Sequence, residues 1–392
     1  RRHNDLAGNR RENSRGLRAG RRMTLRVAVN LTWLRAGQVG GSQEYLVRQL
    51  TGLSESAGEK LDVTLFVQSG FATDHPQLAA LFAFVEVKGA SRGRLVRIFL
   101  EQTWLALKTR KFDVVHHGGG TMPRFAGSNT VLTIHDVQYL SYPENFSRLR
   151  LAYLSKIVPR SLRRATVVTT PSQYVRGRLI EKFGVDGAKV RVVRHGVGAD
   201  LARSATSEGE LRRRLRLENR DLVFLPAVTH PHKNHQFLLQ LMTRYWTDKN
   251  LVLVCAGGKG RGEDAFMREV RRLNLDDRVI RLGRVSDDDR DGLLLISRAL
   301  VFPSLYEGFG APVIEAMQIG TPVIASDCAA LPEVVGDAGL VLPLQLEEWA
   351  DALNTVESKR NSLVTAGRER ARNFSIAASG RDLFDCYMAA AS

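Results

Sequence analysis

Pro303-Ser-Leu-Tyr-Glu307-Gly-Phe-Gly310-Ala-Pro-Val-Ile-Glu315-Ala-Met-Gln-Ile-Gly-Thr-Pro-Val-Ile-Ala-Ser-Asp327 places two carboxylates with seven residues between them inside an apolar frame. The runs at 300–303 and 322–326 read as buried strands, so Glu307 falls in the loop after a strand. Pro312 fits the opening position of the next helix, which puts Glu315 about one turn inside it. Gly308 and Gly310 leave backbone amides open near the helix start, so a sugar can lie against the chain between the two acids. On that reading Glu315 accepts both hydroxyls of a ribose, and Glu307 accepts hydroxyls of a second sugar.

Outward from this stretch, short apolar, β-branched runs recur with helical stretches between them. One series lies at 26–30, 63–67, 114–117, 131–135, 167–170 and 190–194. A second lies at 222–228, 251–256, 279–282, 300–303, 322–326 and 340–342. Near-continuous apolarity suits parallel strands buried on both faces. The fold class is therefore α/β, with two facing Rossmann-like, doubly wound parallel-sheet domains and a cleft between them. Residues 196–209, rich in Gly, Ala and Ser, read as the link. This gives an N-terminal domain at 23–203, a C-terminal domain at 204–374 and a terminal helix at 375–392 that packs back across both. Gly367 and Gly380 read as breaks in that helical tail. Ligands of such sheets bind beyond the carboxyl ends of the strands, so the chemistry belongs in loops that face the cleft.

The chain has 392 residues, 44% hydrophobic and 25% charged, which suits two cores at roughly 100–200 residues each. No stretch reaches the ~18 apolar residues of a membrane span, and the start lacks the apolar middle of a secretory signal, so the expected compartment is the cytosol. Cys255, Cys328 and Cys386 lie far apart with no CxxC pair, which favours reduced thiols over a zinc site. Residues 1–22 hold eight Arg against Asp5 and Glu12, leaving +10 of the formal +16 charge on the rest. That leader reads either as a disordered tail or as the product of a misassigned translation start ahead of Met23. The remaining positive charge favours anionic partners: nucleotides, phosphorylated acceptors or an acidic membrane face. No zinc finger, RNP motif or heptad-linked basic region accompanies it, so nucleic acid is not an expected partner.

Further candidates lie elsewhere. Gly40 and Gly41 precede a helical run at 42–53 and form either an anion-holding turn or an ordinary helix entry. His135 and Asp136 end the run that starts at Val131. There His135 either donates to a sugar hydroxyl or phosphate, with Asp136 orienting it, or caps the strand. His116 and His117 precede Gly118-Gly-Gly120 and read as a His-rich rim, without the carboxylate or Cys spacing of a metal site. Thr229-His-Pro-His-Lys-Asn-His235 sets Lys233 at a helix entrance. A cation with free amides there neutralises a diphosphate both as ligand and as leaving group. Asp287-Asp-Asp289 has the look of a metal-binding DxD triplet. After Ser286 it reads better as the acidic first turn of a helix.

These segments together resemble the retaining glycosyltransferase family 4, of GT-B fold, over essentially everything from Met23 onward. Glu307-Gly-Phe-Gly-Ala-Pro-Val-Ile-Glu315 carries the resemblance. Val39-Gly-Gly-Ser-Gln-Glu-Tyr-Leu46, His135-Asp-Val-Gln-Tyr-Leu140 and Pro231-His-Lys-Asn-His235 are similar to bacterial mannosyltransferase-like members. The resemblance implies a retaining hexosyl transfer, mannosyl by preference, from a nucleotide diphosphosugar on the C-terminal domain to a glycan or lipid-linked acceptor on the N-terminal domain. It implies no metal and no cofactor, with GDP-mannose the favoured donor and UDP-sugars next. On these positions Lys233 stabilises the leaving diphosphate, Glu307 holds the donor sugar, Glu315 the ribose, Gly40 and Gly41 the phosphates, and His135 the sugar or its phosphate. The backbone of Gly308, Phe309, Gly310 and Ala311 completes the pocket. Transfer then proceeds by front-face attack, the departing diphosphate oxygen taking the acceptor proton. One position departs from the pattern: members often carry Arg five residues before the Lys, where this chain has Val228. Hydrogen bonding by His230 or His232 is the expected substitute.

A sugar-nucleotide epimerase or phosphorylase on the same architecture, and a non-catalytic nucleotide-sugar-binding protein, remain as alternatives; the intact Lys233, Glu307 and Glu315 set favours transfer. Residues 92–108 and 148–164 are basic and partly amphipathic. They read either as solvated helices packed on the sheet or as a peripheral seat on the anionic inner face of the plasma membrane.

Overall fold

The computed structural model of the chain describes residues 24–34 and 40–392. The Arg-rich leader at 1–22, with the reading attached to it, lies outside the described residues. The first sheet comprises β1 Leu25–Asn30, β2 Leu61–Val67, β3 Ala83–Glu86, β4 Val114–His117, β5 Thr130–Thr133, β6 Val167–Thr170 and β7 Val190–Val192. Their spatial order is β3-β2-β1-β4-β5-β6-β7. The second sheet comprises β8 Asp221–Pro226, β9 Leu251–Ala256, β10 Val279–Gly283, β11 Ala299–Phe302, β12 Val323–Ser326 and β13 Leu340–Leu342. Its order is β10-β9-β8-β11-β12-β13. Neighbouring strands pair in parallel throughout, and strands such as β9, β11 and β12 are buried along their whole length. Helices covering both faces account for their unbroken apolar sequences. Each sheet reverses its order beside its own first strand, between β1 and β4 and again between β8 and β11. Those two switch points open the crevices in which such sheets bind ligands.

Several elements differ from the sequence expectation. β3 was not anticipated because this short, largely exposed edge strand continues the apolar stretch of the helix Pro76–Leu81 with no turn residue to separate the two. β5 stops at Thr133, two residues before His135, and β8 stops at Pro226, so the ends of both predicted strands belong to cleft loops. Asp287 to Asp289 form the first turn of the helix Asp287–Ile296, where the Ser286 hydroxyl accepts Asp289 N at 3.1 Å.

The helix Glu208–Leu215 opens the second unit and takes Glu208 and Gly209 out of the predicted link. The chain crosses back beside that link, Val197 N donating to Phe374 O at 2.7 Å, and the helix Ile376–Ala391 returns to lie on the helix Gly41–Ala57 of the first unit. Gly380 does not break this helix. A Cβ there would clash with the backbone of Gly52, and one at Gly52 with the Ile376 carbonyl, so the two glycines let the helices cross backbone to backbone. Gly367 likewise sits inside the helix Arg360–Arg372, against Met317. Tyr387 anchors the returning helix to the first sheet, its hydroxyl 2.8 Å from His116 Nδ1. No helix of the described residues is long and apolar enough to cross a membrane.

Candidate active site

β8 and β11 are neighbours at the second switch point, and the loops that leave them carry Lys233 and Glu307. After β8 the chain makes a tight turn, Pro231–Lys233, and Asn234 adopts a left-handed conformation (φ 55°) before the helix His235–Arg244. Lys233 Nζ then stands 5.3 Å above the ring of Phe302 and 2.5 Å from Oε1 of Glu307. The backbone ties the same loops together, Leu305 N donating to His232 O at 2.7 Å. Gly310 (φ 97°) turns the chain into the helix Ala311–Ile319, whose start has no side-chain cap. Uncapped amides and the helix dipole attract an anion, so a lysine beside them suits a diphosphate. His230 and His232 stack at 5.6 Å beside this lysine. Burial, then the Lys233 charge, pushes His232 down to about 3 and lowers His230 as well. Both rings are therefore neutral, able to hydrogen-bond but not to supply the charge absent at Val228.

The facing wall comes from the first sheet. Gly40 opens the helix Gly41–Ala57 without a side-chain cap, and the space around both glycines is open. His135 is half-buried, with Nε2 2.8 Å from the Gly118 carbonyl. A carbonyl only accepts, so Nε2 carries the proton and Nδ1 is left as an acceptor. Burial lowers the pKa of this ring, which keeps it neutral. It is thus set to accept from a sugar hydroxyl rather than to donate to a phosphate. Gly118 rather than Asp136 orients it, since Asp136 Oδ1 accepts Gln138 N at 3.0 Å. His116 and His117 do not form a rim. Both are buried, His116 between Tyr387 and Thr133, and burial pushes them down to about 3 and about 4.

The two walls touch. A Cβ on Gly308 would clash with the His135 carbonyl, so the Glu307 loop reaches the opposite domain only because that side chain is absent. Ser172 Oγ donates to Gly308 O at 2.7 Å, and Val137 N donates to Tyr306 Oη at 3.2 Å. The Glu333 carboxylate accepts the Gln173 and Tyr174 amides at 2.9 Å each. Phe309 turns its ring into the hinge, stacked on His195 at 5.5 Å and edge-on to Phe374 at 5.6 Å. That anchor fixes the backbone from Gly308 to Ala311.

Glu315 is 4% exposed and pairs across the domains, its Oε1 lying 2.7 Å from Nη2 of Arg48. Arg48 also meets Glu44 at 2.6 Å and the Gly196 carbonyl at 3.2 Å. Arg290 Nε lies 3.9 Å from the other Glu315 oxygen. Burial alone raises the Glu315 carboxyl, but Arg48 and then Arg290 outweigh it and hold the group below its ordinary value. Sequence reasoning missed Arg48, Arg290 and His195. A charge on the apolar face of the Gly41–Ala57 helix, beside Tyr45, Leu46, Leu50 and Leu53, was the available signal for Arg48. Among the described residues, no group of three or more His, Cys, Asp or Glu is arranged to hold a metal ion.

Two Rossmann-like units whose switch points face one cleft, with a lysine–glutamate pair at an uncapped helix start, define a GT-B glycosyltransferase. The chain belongs to glycosyltransferase family 4: residues 39–203 match the model described as Glycosyltransferase Family 4, and residues 207–375 the model described as Glycosyl transferases group 1. It is similar to the O-antigen chain mannosyltransferase RfbU of Salmonella typhimurium, 30% identical over 347 residues, which is 84% of this chain and 90% of the relative. O-antigen chain mannosyltransferase B of Escherichia coli is 31% identical over 243 residues; the match covers 61% of this chain and 63% of the relative, a little under two thirds of its length. Among solved structures, Anabaena HepE in complex with UDP and glucose superposes with a TM-score of 0.73 at 18% identity, over 92% of this chain and 98% of that one. WaaG, a glycosyltransferase involved in lipopolysaccharide biosynthesis, gives 0.71 at 17% identity over the same shares of the two chains.

Proposed function

We propose that the protein transfers a hexosyl group, mannosyl by preference, from a nucleotide diphosphosugar to a glycan or lipid-linked acceptor, with retention of anomeric configuration and without a metal. The observation that carries this reading is the Lys233–Glu307 contact, 2.5 Å long, beside the uncapped start of the helix Ala311–Ile319. The donor diphosphate lies against Lys233 and the Gly310–Ala311 backbone, with the Gly40–Gly41 turn closing on it from the facing wall. Glu307 accepts donor-sugar hydroxyls, His135 Nδ1 accepts another, and Glu315 accepts the ribose hydroxyls.

As the bond between the anomeric carbon and the diphosphate oxygen breaks, negative charge builds on the leaving group and Lys233 stabilises it most at that moment. The acceptor hydroxyl attacks from the same face, and its proton passes to the departing diphosphate oxygen. Positioning and leaving-group electrostatics supply the catalysis.

The mannosyltransferase relatives support mannose, hence GDP-mannose, and a place in cell-envelope polysaccharide synthesis. HepE, solved with UDP and glucose, keeps UDP-sugars as the next donors. Exposed Leu95, Phe99, Phe125 and Leu149 beside Arg94 and Arg150 support a peripheral seat on the cytoplasmic face of an anionic membrane.

The test is to follow GDP-mannose and UDP-glucose with and without lipid-linked saccharide acceptors, then read the product's anomeric configuration by NMR. Acceptor-dependent release of nucleotide with retention supports the proposal. Inversion would remove the front-face mechanism. Donor conversion without acceptor would indicate an epimerase, and a requirement for phosphate a phosphorylase.

A further inference from the structure

We propose that Arg48 is a positioning residue for donor recognition, holding the Glu315 carboxylate of the opposite domain in register so that the ribose is read only in the closed cleft. This rests on Glu315 as the ribose acceptor and assigns what makes it competent.

Arg48 stands on the helix Gly41–Ala57 of the first unit, Glu315 on the helix Ala311–Ile319 of the second. The 2.7 Å contact between Nη2 and Oε1 joins side chains 10% and 6% exposed, so solvent does little to screen it. The guanidinium is itself fixed by Glu44 at 2.6 Å and by the Gly196 carbonyl of the interdomain link at 3.2 Å. One edge of the Glu315 carboxylate is thereby occupied and oriented. An ionised carboxylate offers about four lone-pair sites, so those that Arg48 does not take remain able to accept the hydroxyls of a diol.

Opening the cleft carries Arg48 away with its helix and leaves Glu315 with Arg290 alone, at 3.9 Å. The helix that carries Arg48 also begins at Gly41. The phosphate turn and the ribose reader's counter-charge therefore move as one body, and a donor that touches both pins the two domains together.

The charged and titratable groups facing Glu315 are Arg48 with Glu44 from the first helix, Arg290 with Asp291 from the helix Asp287–Ile296, and His195 from the segment between β7 and the link. His195 is neutral near pH 7, burial having pushed it down to about 4. Without Arg48, burial drives the Glu315 carboxyl upward, and ribose recognition weakens as pH falls.

Calorimetric titration of the intact chain with GDP and UDP, and with their 2′-deoxy and 3′-deoxy counterparts, tests this between about pH 6 and 8. The proteins compared are the parent, Arg48→Gln, Arg48→Lys and Glu315→Gln, with melting temperatures recorded for each. The parent should prefer the ribonucleotide by roughly tenfold or more, independent of pH. Arg48→Gln should lose most of that preference, the more so at low pH, and Arg48→Lys should recover part of it while keeping the fold. If Arg48→Gln and Arg48→Lys weaken ribo- and deoxynucleotides equally with no new pH dependence, Arg48 is merely structural and the proposal fails. If Glu315→Gln keeps the full preference, the ribose reading of Glu315 fails first and takes the proposal with it. Loss of preference in Glu315→Gln but not in Arg48→Gln overturns the role of Arg48 alone.

Discussion

Glu307 and Glu315 stand on one short segment, yet their cations come from different domains. Lys233 reaches Glu307 from the loop of β8, the strand next to β11 in the same sheet. Arg48 reaches Glu315 from the other domain, 267 residues away in sequence. The first pair is built by strand adjacency and survives opening of the cleft; the second exists only when the domains meet. On the proposed reading, leaving-group chemistry belongs to one unit and closure completes nucleotide recognition, a division that would let binding assemble the site.

The largest effect should come from the local pair. Lys233→Ala should lower kcat by about 10²–10³-fold, the scale of losing one charge stabiliser at a developing anion. Its melting temperature should also fall, because the side chains are only 18% and 11% exposed and Glu307 loses its partner, but the variant should still unfold cooperatively from a folded state. Steady-state kinetics beside a melting curve checks both, and matched loss of activity and fold would contradict the assignment. Gly308→Val attacks the other member of the comparison. A side chain there strikes the His135 carbonyl, props the cleft open and separates Arg48 from Glu315 while sparing Lys233–Glu307. Donor KM should rise roughly tenfold or more, on the scale of a lost charged hydrogen bond. Small-angle scattering should report a wider particle.

Gly380→Ala should destabilise the closed molecule without touching either pair. The added methyl meets the Gly52 backbone, and overpacking of this kind costs about 1–3 kcal/mol in denaturant titration. A smaller, graded effect concerns pH. His117, His195 and His235 are pushed down to about 4 by burial, so between that value and about 6.5 the unfolded chain binds more protons than the native one. Stability is fully present above about 6.5 and falls as pH drops toward 4, which melting curves across that window will show. Leu149→Ser with Phe99→Ser should change least in solution, leaving transfer to a soluble acceptor unaltered while reducing flotation with anionic liposomes.

The same contrast explains what the sequence revealed. Lys233, Glu307 and Glu315 were legible because strand, loop and helix start are local patterns, and buried parallel strands announce themselves as unbroken apolar runs. β3 escaped because its apolar residues run on from the helix Pro76–Leu81 without a break, so nothing local marks where helix ends and strand begins. His116 and His117 looked like a cleft rim because they end a strand, but whether such a residue faces the cleft or the sheet layer depends on what covers it, for His116 Tyr387 from the far end of the chain. Gly367 and Gly380 read as helix breakers because only the packed structure reveals the backbone each one admits. Arg48 was visible as a charge on an apolar helix face, but its partner could not be inferred without knowing how the domains meet.

The central claim is that Lys233, Glu307 and Glu315 form the site of a nucleotide diphosphosugar. Its most direct test is a thermal-shift panel of GDP, UDP, ADP and their sugar conjugates on the chain from Met23 to Ser392, with Lys233→Ala and Glu315→Ala beside it. Stabilisation by one nucleotide family, abolished or sharply reduced in both variants, is the predicted result. No response to any nucleotide, or a response that both variants retain in full, would contradict it.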